Sequence, residues 1–318
     1  MANDVNIPVF QKMTDAVARY NTFFLTGHVN PDGDSKGSCN CLKLALEKLG
    51  KTVVMQGADA DALAQLKSCK FCYVQLDVQP EYRLPDDAQK IKSQADFSFC
   101  IDHHQPDAPN CDLVYVDPTA ASNSLNVWDF IKTLGVQLDA QMATWAYYGL
   151  SSDTNSFKNT NTDARSFEAA IEMVSHGADV AQVAKELFQS RSLASFQLEQ
   201  ALLENLTVDA KNRFAFSYLS SDDFARFNAT KDDADSFVDL LRSLDCVDVS
   251  CLLRQTDSTE KIRGSIRAKT DIDVTRLAKL HVGGGHKAAA GFTVQTCDLH
   301  EAADLVKSQL VDLMQGNL

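Results

Sequence analysis

The chain has 318 residues, of which 45% are hydrophobic and 23% charged, values typical of a globular protein that buries substantial cores. Its formal net charge of −13 argues against a protein that coats long nucleic acid, because neutralising phosphates requires an excess of Lys and Arg. No segment approaches the roughly 18 consecutive apolar residues of a membrane span, and the N-terminal sequence shows no secretory signal.

The nine cysteines are an odd number and are scattered through segments predicted as strands and helices. This distribution is typical of reduced thiols in a cytosol, so we expect a cytoplasmic protein. Cys39 and Cys41, together with Cys69 and Cys72, invite interpretation as a zinc site. However, Cys39 and Cys41 are two positions apart on a predicted helix and face different sides of it, which disfavours joint ligation of zinc.

The first half of the chain alternates predicted strands with predicted helices. An amphipathic helix over 7–20 precedes the apolar run 23–26, typical of a buried strand, and helical periodicity over 41–49 stops at Gly50. The other strands of this half are predicted at 52–55, 73–76, 97–101 and 113–116, and its other helices at 59–66, 123–134 and 140–150. This alternation predicts an α/β fold with a doubly wound, mostly parallel sheet.

The second half begins with a helical stretch, 163–204, that is broken at Gly177. We expect a first domain over residues 1–190, a helical linker over 191–206 and a second, smaller α/β domain over 207–318. In the second domain the patterns predict strands at 214–218, 247–253 and 261–267, helices at 231–244, 273–279 and 298–314, and a glycine-rich loop at 283–291.

Three predicted strands end in acidic residues or histidines. These are His28, Asp32 and Asp34 after the first strand, Asp77 after the third, and Asp102-His103-His104 after the fourth. Taken singly, each has an ordinary explanation as a turn residue or a helix cap. The carboxyl ends of parallel strands, however, meet at one edge of a sheet, where open α/β sheets bind ligands. Carboxylates gathered there are costly unless cations neutralise them.

Two divalent metal ions that share a carboxylate would neutralise such a cluster and activate water for attack on phosphorus. Oxygen and imidazole donors without a thiolate indicate manganese or magnesium more than zinc. No spacing in the sequence indicates a Ser or Cys catalytic triad.

Four motifs, in order along nearly the whole chain, resemble those of the DHH phosphoesterases with a DHH-associated C-terminal domain. The motifs are HVNPDGDSKGS at 28–38, DHH at 102–104, SDT at 152–154 and GGGHKAAAG at 283–291. The nearest group is the compact one that includes oligoribonuclease (nanoRNase)/pAp phosphatases and cyclic-dinucleotide phosphodiesterases. The larger RecJ exonucleases share the core and carry additional domains.

The resemblance implies two bound metal ions and a role for each motif residue. One ion would be held by His28, Asp32 and Asp77, and the other by Asp34, Asp77, His103 and Asp153. Asp77 would bridge the two ions. His104 would lie beside the scissile phosphate and donate a hydrogen bond to it.

The segment after the bridging aspartate departs from the family pattern, because Val78-Gln79-Pro80 follows Asp77 where the family has small and polar residues. We prefer Asp77 because it ends a predicted strand. Asp86 and Asp87 resemble a helix start, and Asp96 precedes its strand instead of following it.

The second domain contains the basic residues that a substrate phosphate requires. Between Arg254 and Lys287, eight Lys and Arg stand against four Asp and Glu, a local excess of +4 in a chain that is otherwise −17. A solvated basic strand beside a plain turn would have the same composition. Glycines allow backbone amides to approach a phosphate closely. By resemblance, the substrate-binding residues of this domain are Arg263, Arg267, Gly284, Gly285 and His286.

We therefore expect a metal-dependent phosphoesterase that hydrolyses very short oligoribonucleotides such as pApA, the 3′-phosphate of pAp, or both. The alternatives are a cyclic di-AMP phosphodiesterase, a non-catalytic nucleotide-binding regulator, and an inorganic pyrophosphatase or exopolyphosphatase. The GGGH motif argues against the pyrophosphatases, which share only the N-terminal core. We expect nucleotides or short RNA as partners, with neither long DNA nor a membrane. The oligomeric state stays open, with a homodimer as one option.

Overall fold

The computed structural model describes residues 7–318 except 67, 107, 109 and 260. The chain divides into two compact units between Ser190 and Arg191. Within the described residues, no helix has the length and apolar character needed to cross a membrane. All nine cysteines are among the described residues, and all are free thiols.

The first unit is built on a five-stranded, fully parallel sheet, which confirms the predicted α/β architecture. Its strands are β1 Thr22–Thr26, β2 Thr52–Met55, β3 Phe71–Leu76, β4 Phe97–Asp102 and β5 Leu113–Val116. The spatial order is β2-β1-β3-β4-β5, so β1 has β2 on one side and β3 on the other. The chain therefore changes direction across the sheet beside β1, and such a switch point forms a crevice at the carboxyl ends of the strands.

Helices cover the sheet of the first unit. They are α1 Ile7–Arg19, α2 Gly33–Lys48, α3 Ala60–Leu66, α4 Asp86–Lys92, α5 Asn123–Thr133, α6 Ala140–Asp153, α7 Ala164–Ser175 and α8 Val180–Phe188. Side chains of β1 alternate between two cores, with Phe23 and Leu25 in the larger core and Phe24 in the smaller one. Both faces of the sheet are therefore buried, as in a doubly wound fold.

Helix α2 begins much earlier than its apolar periodicity predicts, at Gly33 instead of residue 41. Asp32 caps it, and its side chain accepts hydrogen bonds from the backbone N–H groups of Asp34 and Ser35, both at 3.1 Å. The first turns consist of small and polar residues, which bury against neighbouring helices without a hydrophobic stripe. Periodicity in apolar residues cannot detect a helix of this kind.

The packing of α2 on α6 depends on two glycines that bring the helix backbones into contact. A Cβ atom at Gly37 would lie 2.7 Å from the carbonyl oxygen of Trp145 and 2.8 Å from the nitrogen of Gly149. A Cβ at Gly149 would lie 2.7 Å from Oδ1 of Asp34. The close approach thus positions the first turn of α2 against α6.

The second unit contains a mixed six-stranded sheet in the order β10-β11-β9-β8-β7-β6. Its strands are β6 Thr207–Asp209, β7 Phe214–Leu219, β8 Val249–Arg254, β9 Ile262–Ala268, β10 Val282–His286 and β11 Ala289–Val294. Its helices are α9 Leu193–Glu204, α10 Ser221–Arg226, α11 Phe237–Arg242, α12 Thr275–Ala278 and α13 Leu299–Met314. The expected linker falls on α9, whose residues Leu198, Ala201 and Leu202 pack into a core of this unit. The domain boundaries remain a prediction.

Two expectations for the second unit were wrong. The glycine-rich run is not a loop, because β10 and β11 form an antiparallel hairpin at the edge of the sheet. The single helix expected over 231–244 is a 3₁₀ turn at Lys231–Ala234 followed by the short helix α11. Glycines favour a turn by intrinsic propensity, but tertiary pairing with β11 overrides that preference.

Candidate active site

The acidic and histidine side chains of the first unit converge at the carboxyl edge of its parallel sheet. His28 follows β1, Asp77 directly follows β3, and His103 with His104 directly follow β4. Asp34 lies in the first turn of α2 and Asp153 is the last residue of α6. Strand pairing and the contact between α2 and α6 therefore bring these residues together.

His28, Asp32 and Asp77 form one set of possible ligands, with one donor atom from each within 4.8 Å of the others. Nε2 of His28 lies 3.7 Å from Oδ2 of Asp32 and 3.6 Å from Oδ2 of Asp77. Burial acts to raise the pKa of Asp32, but the nearby imidazole of His28 and the hydrogen bonds from the backbone N–H groups of Ser35 and Asp34 outweigh burial and lower that pKa to about 2. This carboxylate is therefore ionised and able to bind a cation.

Asp34, His103 and Asp153 form a second set within the same distance limit. Nε2 of His103 lies 3.7 Å from Oδ2 of Asp34, 3.4 Å from Oδ2 of Asp153 and 3.4 Å from Oδ1 of Asp77. One oxygen of Asp77 therefore faces each set. This is the arrangement that a bridging carboxylate between two cations requires.

Asp77 is held in an unusual backbone conformation. Its φ of 62° lies in the left-handed region, which Asp tolerates better than most residues. Its backbone N–H donates to the carbonyl of Ile101 at 3.1 Å, and its side chain is almost fully buried. Oδ1 of Asp77 has no hydrogen-bond partner among the described residues. A buried carboxylate oxygen without a donor is costly, and a divalent cation would satisfy it.

The charge of the cluster shows the same need for cations. Burial raises the pKa of Asp77 well above its usual value, and the carboxylate of Asp34 raises it further. Burial, followed by the charge of Asp34, also raises the pKa of Asp153. Burial acts to lower the pKa of His103, but the carboxylates of Asp77, Asp34 and Asp153 beside it outweigh burial and raise that pKa. Without metal ions, bound protons offset the negative charge of these carboxylates. Metal ions compete with protons for the same carboxylate and imidazole groups.

Both histidines of the DHH motif have their rings oriented by a second contact. Nδ1 of His103 lies 3.2 Å from the carbonyl oxygen of Ala120, and Nδ1 of His104 lies 2.8 Å from Oδ1 of Asp102. Gln79 in turn donates from Nε2 to Oδ2 of the buried Asp102 at 3.2 Å. Contacts of this kind fix the ring orientation of metal-binding and catalytic histidines.

Sequence reasoning missed the supporting roles of Gln79, Asn123 and Ser124. The carboxylate of Asp34 accepts hydrogen bonds from the backbone N–H of Asn123 at 2.5 Å and of Ser124 at 2.8 Å, at the N-terminus of α5. A helix N-terminus stabilises a carboxylate, so α5 holds Asp34 in place. The only available signal was a polar cluster, Ser122-Asn123-Ser124, typical of any helix start.

The turn after α6 positions Asp153. Asn155, Ser156 and Phe157 are consecutive residues with φ of 48°, 57° and 63°. Asn159 donates from Nδ2 to the carbonyl oxygen of Asp153 at 3.0 Å. This left-handed turn therefore ends α6 just after the candidate ligand Asp153.

The candidate phosphate-binding residues lie in the second unit. On β9, Arg263 and Arg267 are on the face opposite its buried side chains. Arg263 donates to Oγ1 of Thr293 at 2.9 Å, and Arg267 donates to the carbonyl of Ile266 at 3.1 Å. Burial lowers the pKa of Arg267. None of the ion pairs between described residues includes Arg267, whereas Arg254 is paired with Asp235 at 2.7 Å.

The glycine-rich hairpin places its residues close to Arg267 in the sheet register. His286 is paired with Ala289, and Ala289 is paired with Arg267, so these three positions form one row across the sheet. Gly285 has a φ of 146°, and a Cβ there would lie 2.5 Å from the carbonyl oxygen of Ala289. At Gly284 a Cβ would meet no atom within 4 Å, so the backbone at this position is open to a ligand.

The residues considered from the sequence as alternative metal ligands are not part of the candidate metal centre. Asp96 accepts a hydrogen bond from the backbone N–H of Phe71 at 3.1 Å, and Asp86 is the first residue of α4. Among the described residues, no group of possible metal ligands includes a cysteine. Burial raises the pKa of the Cys39 and Cys41 thiols, which disfavours the thiolates that zinc requires.

Comparison with known proteins assigns both units. A family model described as "DHH family, N-terminal domain" matches residues 22–150, and one described as "DHHA1 domain" matches residues 211–312. The chain is 29% identical over 295 residues to the bifunctional oligoribonuclease and PAP phosphatase NrnA of Thermus thermophilus, which covers 89% of this chain and 87% of that protein. It is 27% identical over 238 residues to the cyclic-di-AMP phosphodiesterase GdpP of Geobacillus thermodenitrificans, which covers 72% of this chain and 34% of that protein.

Solved structures share the fold at lower sequence identity. An exopolyphosphatase-related protein from Bacteroides fragilis superposes with a TM-score of 0.87 at 22% identity, covering 99% of this chain and 100% of that one. A structure of the exonuclease RecJ bound to manganese has a TM-score of 0.56 at 13% identity, covering 96% of this chain and 94% of that one.

Proposed function

The chain belongs to the DHH family and continues into a DHHA1 domain, and on this basis we propose that it is a metal-dependent phosphoesterase acting on very short substrates. The substrates are oligoribonucleotides of a few residues such as pApA, the 3′-phosphate of pAp, or both. The observation that carries the proposal is that Asp77 directs one carboxylate oxygen toward His28 and the other toward His103, each in a different set of possible ligands. NrnA of Thermus thermophilus, named for both activities, supports the choice of substrate.

The donor set fits two divalent metal ions. His28, Asp32 and Asp77 would hold one ion, and Asp34, Asp77, His103 and Asp153 the other. Oxygen and imidazole donors favour manganese, with magnesium as the alternative, and the RecJ structure with the same fold is one bound to manganese. When bound, the two ions would polarise the phosphoryl oxygens and lower the pKa of water.

The protein's own residues orient the reacting groups. Asp102 holds the ring of His104 through Nδ1, and Gln79 holds Asp102. In the proposal, His104 donates from Nε2 to a phosphoryl oxygen and stabilises the charge that develops there. The preorganised contacts of Asp102 reduce the reorientation that the ring would otherwise need during the reaction.

The second unit would hold the terminal phosphate of the substrate. Arg267 and Arg263 supply the cations, and Gly284, Gly285 and His286 supply an edge strand whose backbone can approach a phosphate. A half-buried guanidinium without an ion pair among the described residues is suited to an anionic ligand. Together with the net charge of −13, this local basic site favours small substrates over long strands.

One substrate panel tests the proposal. Purified protein with manganese would be offered pAp, pApA, a labelled RNA trimer, a 24-mer and cyclic di-AMP. We expect the rate to be highest for pAp or pApA and to fall at least tenfold from the dinucleotide to the 24-mer, because the basic site is confined. Equal rates on the 24-mer would contradict the length preference.

The same panel decides between the proposed function and its rivals. The match to GdpP favours a cyclic di-AMP phosphodiesterase as the second candidate, and this would turn over the cyclic dinucleotide faster than pApA. A non-catalytic regulator would show no metal-dependent turnover. A pyrophosphatase or exopolyphosphatase would act on inorganic phosphoanhydrides and would hydrolyse none of the five compounds in the panel. We also predict a cytoplasmic location for the protein, and a homodimer is one option for its oligomeric state.

The phosphate-clamp role of Arg267 has its own test. A charged hydrogen bond to phosphate is worth about 1.5–3 kcal/mol, so Arg267→Ala should lower kcat/KM for pAp roughly ten- to a hundredfold. The metal content of the same preparation should not change, because Arg267 is not among the candidate ligands. For a bis-aryl phosphodiester, which has no terminal phosphate, the fall in kcat/KM caused by Arg267→Ala should be much smaller than for pAp.

The matched control is Arg276→Ala, which removes an exposed arginine of α12 in the same unit. It should leave kcat/KM within about twofold of the wild type, as most exposed charges are worth little. Loss of metal from Arg267→Ala, or equal losses on both substrates, would contradict the clamp.

A further inference from the structure

Two exposed apolar side chains lie beside the candidate metal centre. Tyr82 is 82% exposed, and Val29, which directly follows His28, is 54% exposed. The backbone N–H of Val29 donates to the carbonyl of Arg83 at 2.8 Å, which joins the segment after β1 to the segment after β3. With standard backbone dimensions, this hydrogen bond places the Cα atom of Tyr82 within about 11.5 Å of the Cα atom of His28.

The turn that carries Tyr82 is anchored on both sides. It is a 3₁₀ turn, Glu81–Arg83, between the buried residues Gln79 and Leu84. Nε2 of Gln89 donates to the carbonyl oxygens of Glu81 and Leu84, both at 3.0 Å. The backbone is therefore held in place while the tyrosine ring faces solvent. An anchored turn that carries an exposed aromatic ring can present that ring to a ligand.

Among the candidate metal ligands, Asp32 is the most exposed to solvent. The side chain of Asp32 is 56% exposed, whereas those of Asp34 and Asp77 are almost completely buried. Val29 lies between His28 and Asp32 in the chain, and its backbone hydrogen bond to Arg83 joins this segment to the turn of Tyr82. The exposed ring of Tyr82 is therefore carried by a turn that is bonded directly to the segment with two candidate ligands, His28 and Asp32.

We propose that Tyr82, with Val29 at its edge, is a stacking platform for a nucleobase of the substrate. This inference rests on the proposed function, because it supplies a subsite for the nucleoside next to the reacting phosphate. Stacking on an aromatic ring tolerates any of the four bases, since each has a π face. The platform discriminates instead between nucleotides and phosphate compounds that lack a base.

The test compares Tyr82→Ala and Tyr82→Phe with the wild type, each as the full chain. The binding probe is pApA with 2-aminopurine in place of adenine, titrated with calcium in place of manganese. We expect stacking to quench the fluorescence in the wild type and in Tyr82→Phe, and the quenching to be lost in Tyr82→Ala with a Kd about tenfold higher. In turnover with manganese, Tyr82→Ala should raise KM for pApA by a similar factor, while kcat changes less than about threefold.

The base-free compound ribose 3′,5′-bisphosphate is the matched control substrate. Its KM should be the same for all three proteins, because it has the phosphates of pAp and nothing to stack. Unchanged quenching and KM in Tyr82→Ala would overturn the platform, and so would an equal loss on the base-free compound. Failure of the proposed function is distinguishable, because no nucleotide would then be hydrolysed by the wild type, whereas the 2-aminopurine titration still decides the platform.

Discussion

Replacing Asp77 by Asn is expected to lower kcat on pApA at least about a thousandfold, because this residue faces both ligand sets. Its Oδ2 lies 3.6 Å from Nε2 of His28, and its Oδ1 lies 3.4 Å from Nε2 of His103. Asn retains the shape of the side chain and tolerates the φ of 62°, so the fold should survive. The measurements are kcat at saturating manganese and metal content by elemental analysis, which should fall below that of the wild type.

The matched control for Asp77 is Asp87→Ala. Asp87 is exposed in the first turn of α4 and is one of the three alternatives, with Asp86 and Asp96, for the bridging position. Its loss should leave kcat within about twofold, as is usual for an exposed surface residue. Near-normal activity in Asp77→Asn together with an inactive Asp87→Ala would show that the bridging aspartate has been misplaced.

Gly37→Ala should have the largest effect on stability, a fall in the free energy of unfolding of about 3 kcal/mol. The new methyl group would lie 2.7 Å from the carbonyl oxygen of Trp145 and 2.8 Å from the nitrogen of Gly149, so two helix backbones would have to separate. Helix propensity alone predicts the opposite, a gain of about 1 kcal/mol, so the sign of the change decides between the two effects. Urea denaturation followed by circular dichroism measures it.

Lys36→Ala is the control for this prediction, because Lys36 precedes Gly37 on α2 and is exposed. Its change in unfolding free energy should stay within about 0.5 kcal/mol. Separation of α2 from α6 should also lower the metal content of Gly37→Ala, since Asp34 and Asp153 lie on these two helices. A more stable Gly37→Ala would show that the helices are not in close contact.

Much of the first unit could be predicted from local patterns. Strands such as 73–76 and 113–116 are short apolar runs, and their alternation with helices identifies a parallel sheet. The sheet of the structure has this form. The extended start of α2 escaped detection because its buried residues, such as Ser35, Gly37 and Ser38, are small and polar instead of apolar.

The hairpin β10–β11 could not be predicted for a related reason. Val282–His286 contains three glycines, which have a low intrinsic preference for strands, and it becomes a strand only because β11 pairs with it. The role of Gln79 was equally hidden. Its contact with Asp102 joins two segments that follow different strands, and nothing in the local sequence around either residue indicates the other.

The sequence by itself determined the residue types of the candidate metal centre and their positions at strand ends, because both depend on local pattern. Local pattern did not show how those residues are grouped; the family resemblance implied a grouping, and its physical basis lies in the tertiary structure. Asp77 lies between His28 and His103 because β3 is inserted between β1 and β4, although β2 separates β1 from β3 along the chain. Strand order is set by long-range packing, so the direction of each Asp77 oxygen and the exposure of Tyr82 follow from the folded chain and not from local pattern.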